Sequence, residues 1–157
     1  MQRRDLFKIG AGAAVAARAA GAHRFFTEEE FRMVDELSEM IIPADEKSGG
    51  ARAAKVAEFV DFHLAEAFEQ AERDRWRRGL KKIDALSATM HGAGFLGGTP
   101  EQRAGVLSRI SEGKDEFFRA LKDATIHAYY TSKIGIHDEL DYKGNVYQRG
   151  DYAGELP

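Results

Sequence analysis

From Thr27 to Tyr130 the large apolar residues recur at steps of three and four. No stretch alternates with period two for long enough to demand a strand. That periodicity confines the chain to helices packed through apolar stripes. Thr27-Glu28-Glu29-Glu30 forms a capping box. Phe31, Val34, Leu37 and Ile41 then line one helix face, and Pro43 stops the helix. The segment PADEKSGG reads as a loop. A second helix is expected from about Ala51 to Ala71, with a broad face of Val56, Phe59, Val60, Phe62, His63, Leu64 and Phe68. A third spans about Arg73–Met90, with Trp76, Leu80, Ile83 and Leu86 inward. GAGFLGG reads as a flexible connector.

Thr99-Pro100-Glu101-Gln102 restarts a helix carrying Val106, Leu107 and Ile110. A last helix, about Lys114–Lys133, carries Phe117, Phe118, Leu121, Ile126, Tyr129 and Tyr130, with Gly135 as its C-cap. The expectation is an all-α fold: one bundle of about five helices over residues 23–135, without internal repeat.

The stretch RRDLFKIGAGAAVAA, Arg3 to Ala17, admits two readings. Gly10-x-Gly12 is close to the glycine fingerprint of a dinucleotide site, which must follow a buried strand. The preceding residues, Arg3 to Ile9, carry four charges and cannot be such a strand. The second reading fits throughout. Paired arginines, a polar residue, Leu6, Phe7 and Lys8 resemble the twin-arginine export signal. The apolar part, Ile9 to Ala17, is far shorter than the roughly 20 residues that span a bilayer. Ala20-Gly21-Ala22 then supplies an A-x-A cleavage site before His23. Residues 1–22 are therefore expected to be a leader for the twin-arginine translocase, which passes folded cargo. The mature chain is expected in the periplasm.

The whole chain carries a net charge of −3, and the leader holds four basic residues against one acidic. The remainder is thus at −6, which argues against nucleic acid and against anionic lipid. A 43% hydrophobic content allows a real core. With no cysteine, c-type haem attachment, thiolate metal sites, iron–sulfur clusters and disulfides are excluded.

Local motifs for catalysis are missing. The five histidines make no H-E-x-x-H pattern, and there is no G-x-S-x-G elbow. His63 and His127 read as core or interface residues, and the basic run Arg73 to Lys82 as a solvated helix face. Residues 136–157 are glycine- and tyrosine-rich, without a helical stripe. Their tyrosines, Tyr142, Tyr147 and Tyr152, suit burial of large contact area. This irregular, extended tail either wraps its own bundle or docks on a partner.

Taken together, several segments resemble the gluconate 2-dehydrogenase subunit 3 family. They are the leader, TEEEFRMVDELSEMIIPADEKSGGARAAKVAEFVD with its Ile41-Ile42-Pro43-Ala44-Asp45 turn, and FFRALKDATIHAYYTSKIGIHDELDYKGNVY. The resemblance implies the small subunit of a periplasmic FAD-dependent sugar dehydrogenase complex. FAD would sit in a large subunit of the glucose–methanol–choline oxidoreductase type, and haem, where present, in a separate c-type cytochrome. This chain would hold no cofactor or metal and no catalytic residue. It would stabilise the large subunit and support its folded export, or act as a chaperone released afterwards. The partner interface is expected at Pro43, Tyr129, Tyr130, Leu140, Tyr142, Gly144, Asn145 and Tyr147. A free-standing periplasmic helical binding protein or metal-dependent enzyme is the alternative.

Overall fold

Helix α1, Glu28–Ile41, starts where the capping box requires. The Thr27 hydroxyl accepts from the Glu30 amide at 3.1 Å, and the Glu30 carboxylate accepts from the Thr27 amide at 3.0 Å. In this computed structural model, residues 23–113 and 115–142 are described. The leader positions Arg3, Arg4, Leu6, Phe7 and Lys8 lie outside them. Among the described residues every element is helical: α1, α2 (Gly50–Ala53), α3 (Val56–Glu66), α4 (Gln70–His91), a 3-10 turn (Phe95–Gly97), α5 (Pro100–Glu112), α6 (Glu116–Tyr130) and a π-helical turn (Ile134–Glu139). The fold class is all-α, as the periodicity implied.

The second helix departs from expectation. In place of one helix over about Ala51–Ala71 there are two, joined where Lys55 takes a left-handed conformation, φ 57°. Helix α3 also stops at Glu66 rather than near Ala71. Arg73 reaches back from α4 to the carbonyls of Leu64 and Ala65, at 3.0 and 2.8 Å. It thereby satisfies two of the carbonyls that a helix end leaves without partners. Helix α4 consequently starts earlier than expected, at Gln70.

Two further expectations change. The glycine-rich connector is not a loose one: Phe95 is fully buried, and its amide donates to Asp84 at 2.8 Å. Helix α6 ends at Tyr130, because the hydroxyls of Thr131 and Ser132 bond back to the carbonyls of His127 and Tyr129, at 2.7 and 2.6 Å. Gly135 is therefore not a C-cap. It is buried against the Tyr129 carbonyl, where an added Cβ would stand 2.1 Å from the oxygen. The first residues of the expected irregular tail are helical instead.

Helix α1 packs against α2, α3, α6 and the 3-10 turn, while α4 packs against α5 and α6. Val34, Leu37, Val56, Leu64, Trp76, Leu80, Val106 and Leu121 meet in one core. Trp76 and Phe117 cross edge to face at 5.4 Å. The ring of Phe117 lies over Gly79, where α6 meets α4.

Candidate functional site

On α3 the stripe Val56, Val60, Leu64 faces the core at i, i+4 spacing. That leaves Phe59 and Phe62 on the outer flank, 40% and 47% exposed, and Phe68 fully exposed in the link to α4. The broad apolar face is thus two faces, one inward and one outward. Phe59 stacks parallel to His63 at 6.2 Å and meets His127 of α6 at 5.8 Å. Both histidines are exposed, which removes them from the core.

Behind Phe59 an open groove of about 610 Å³ runs between α3, α6 and the start of α4. Val60, Leu64 and Trp76 form its apolar floor. Glu72, Glu116 and Asp123 share the rim with Arg75 and Arg119, so neither sign dominates. Arg75 is already paired with Glu72 at 3.5 Å. An apolar floor with a mixed polar rim is the pattern of a contact surface for another protein. Among the described residues, no three metal-ligating side chains come together.

The second region lies where α1 ends. Asp45 accepts the amides of Lys47 and Ser48, both at 2.8 Å, and these bonds hold its carboxyl below the ordinary range. Glu39 accepts from Ala44 on one side of the loop and from Arg52 on the other, at 3.0 and 2.8 Å. Gly50 closes the turn at φ 72°, with the Ala44 nitrogen 2.4 Å from where a Cβ would be. Arg52 also bonds Asp35 and Glu36, at 2.7 and 2.9 Å, and the Asp35 bond leads in raising its pKa.

This loop sets Pro43 beside Tyr129 and Tyr130 around a depression of about 280 Å³, closed by Glu139. Three of the expected interface residues are thus brought together. Their roles differ, however. Tyr129 is only 1% exposed and its hydroxyl bonds Ser48 inside the fold, so it is a core residue and offers no contact surface. Tyr130 crosses it edge to face at 5.1 Å and remains 39% exposed. Leu140 and Tyr142 are also exposed, and the Tyr142 carbonyl lies 2.9 Å from His137 Nδ1. Gly144, Asn145 and Tyr147 lie outside the described residues, as does Tyr152.

Phe59, Phe62 and Phe68 were not among the expected contact residues. Their signal was present in the width of the apolar face. Seven large apolar or aromatic residues from Val56 to Phe68 exceed what one buried stripe can use.

A model of the gluconate 2-dehydrogenase subunit 3 family matches residues 28–147, which takes in every described helix. Among curated proteins and among solved structures, none matches the chain.

Proposed function

The chain belongs to the gluconate 2-dehydrogenase subunit 3 family, and from that premise we propose that it is the non-catalytic small subunit of a periplasmic FAD-dependent sugar dehydrogenase complex. Membership makes it a subunit of a dehydrogenase complex. In the proposed assembly the large subunit, of the glucose–methanol–choline type, carries FAD and takes hydride from a sugar hydroxyl. Electrons then leave through a c-type cytochrome where one is present. This chain holds the large subunit in its folded state, and its leader takes the folded pair through the twin-arginine translocase. None of the described helices is long and apolar enough to cross a membrane.

The observation that carries this reading is the outward aromatic flank of α3. Three phenylalanines are exposed within ten residues, beside an open groove, on a chain large enough to have buried them. Covering the fully exposed Phe68 gains about 1.5–3 kcal/mol, and covering the remaining part of Phe59 and Phe62 roughly half as much each, so the flank favours association with a partner. Gene deletion with complementation tests the proposal. Periplasmic flavoprotein activity should vanish without this chain and return with it. Return should fail with Phe59→Asp/Phe62→Asp. Full activity without the chain contradicts the proposal.

A further inference from the structure

Asp61 sits on α3 with only 5% of its surface exposed, and its carboxylate meets the segment that leads into α1. It accepts three consecutive backbone amides there. Arg24 N–H donates to Oδ2 at 2.6 Å, and the Phe25 and Phe26 amides donate to Oδ1 at 3.0 and 2.8 Å. Successive amides converging on one anion make strong, charge-assisted bonds, so residues 24–26 are seated against α3. These bonds use only the main chain of the segment. Of its side chains, Phe26 is buried beside Trp76. The exposed Arg24 guanidinium lies over the Phe62 ring, 4.7 Å from its centroid. Arg77 of α4 lies over the Phe25 ring, also at 4.7 Å, and its Nη2 donates to the Phe25 carbonyl at 3.4 Å.

The seated segment thus joins the outward flank of α3 and adds two ring-stacked cations to it. Other arginines are consumed by the fold: Arg52 bonds Asp35 and Glu36 at 2.7 and 2.9 Å, and Arg103 bonds Glu36 at 2.7 Å. Arg24 and Arg77 are not. Arg24 faces Glu66 at 3.7 Å, but the two side chains are 60% and 65% exposed, and water weakens such a pair. Among the described residues no carboxylate pairs with Arg77, which is exposed. A partner that covers Phe62 must also cover Arg24, because the guanidinium lies on the ring. Covering a cation is costly unless its N–H groups keep acceptors. A carboxylate meets the arginine fork with two parallel hydrogen bonds and so offsets that cost best. We propose that residues 24–26, held by Asp61, extend the phenylalanine flank into a docking surface for an acidic segment of the large subunit, whose carboxylates pair with Arg24 and Arg77. The inference rests on the proposal that this chain serves such a subunit, and it adds the chemistry of the contact. Apolar side chains cover Phe59 and Phe62, and acidic ones lie beside them. Asp61 touches no partner and acts as a positioning residue.

The test is a competition. The tagged chain is captured from its own cells with its flavin-bearing partner, and purified untagged variants are added to displace it. The readout is the concentration that releases half of the flavin into solution. Arg24→Ala/Arg77→Ala should need at least roughly tenfold more than untagged wild type. Arg24→Lys/Arg77→Lys should fall between them, since it keeps the charge and loses the fork. Raised salt should narrow the gap between wild type and the alanine pair. Asp61→Asn should speed amide hydrogen exchange at positions 24–26 and compete less well. If it fails to fold, the alanine pair decides, because both of its positions are exposed. An alanine pair that competes as well as wild type overturns the inference. If Phe59→Asp/Phe62→Asp does not compete in that same experiment, the subunit role stands and only the acidic contact falls. Tagged wild type that captures no flavin overturns both.

Discussion

Gly79 carries no side chain at the point where the Phe117 ring crosses α4, and an added Cβ would stand 2.1 Å from that ring. Alanine improves helix propensity by about 1 kcal/mol, yet the overlap forces α4 and α6 apart at a cost of about 1–3 kcal/mol. Gly79→Ala should therefore lower Tm by a few degrees, where a helical glycine with open space for a Cβ, such as Gly105, would gain from the same change. A second residue ties stability to pH. Asp115 caps α6, accepting the Phe117 amide at 2.8 Å, and pairs with Lys82. Burial pushes its pKa up, but Lys82 and the Phe118 and Phe117 amides outweigh this and hold it below the ordinary range. A carboxyl depressed in the folded state stabilises above its unfolded value of about 3.9, and that gain is lost as pH falls through the folded value. Asp115→Asn should thus melt below wild type at pH 7, and the two melting curves should converge in acid, below about pH 4.

At the scale of elements, the caps and the conformation of single backbone joints set where helices end. Lys55 pays for a left-handed backbone between α2 and α3. Lys55→Gly should be tolerated or raise Tm slightly, and Lys55→Val should cost about 1–2 kcal/mol by chemical denaturation. Both capping boxes, at Thr27 and Thr99, were legible because the residues that make them are adjacent in the chain. The end of α3 was not legible, because it depends on Arg73 folding back over the linker to the Leu64 and Ala65 carbonyls. The same holds for Gly135, whose place is fixed by contact with the Tyr129 carbonyl rather than by a helix-ending rule. At the site, Pro43 and Tyr130 were expected as contact residues only through the family resemblance. That Tyr129 points inward to Ser48 depends on packing across the loop between α1 and α2, which periodicity does not encode.

For the whole molecule, the division between an inward and an outward face of α3 leaves the surface that the proposed large subunit would cover. Val56, Val60 and Leu64 complete the core, while Phe59, Phe62 and Phe68 stand outside it. Phe59→Asp/Phe62→Asp should leave the far-ultraviolet helical signal of the isolated chain nearly unchanged and lower Tm by only a few degrees, because both rings stand outside the core and give up only their contacts with His63, His127 and Arg24. The same pair should abolish its association with a large subunit. The most direct measurement is affinity capture of the tagged chain from its own cells, read by absorbance and intact mass. The account predicts a flavin spectrum and one much larger chain recovered with it, both lost with Phe59→Asp/Phe62→Asp. Recovery of a colourless chain alone, folded and without a partner, would contradict it.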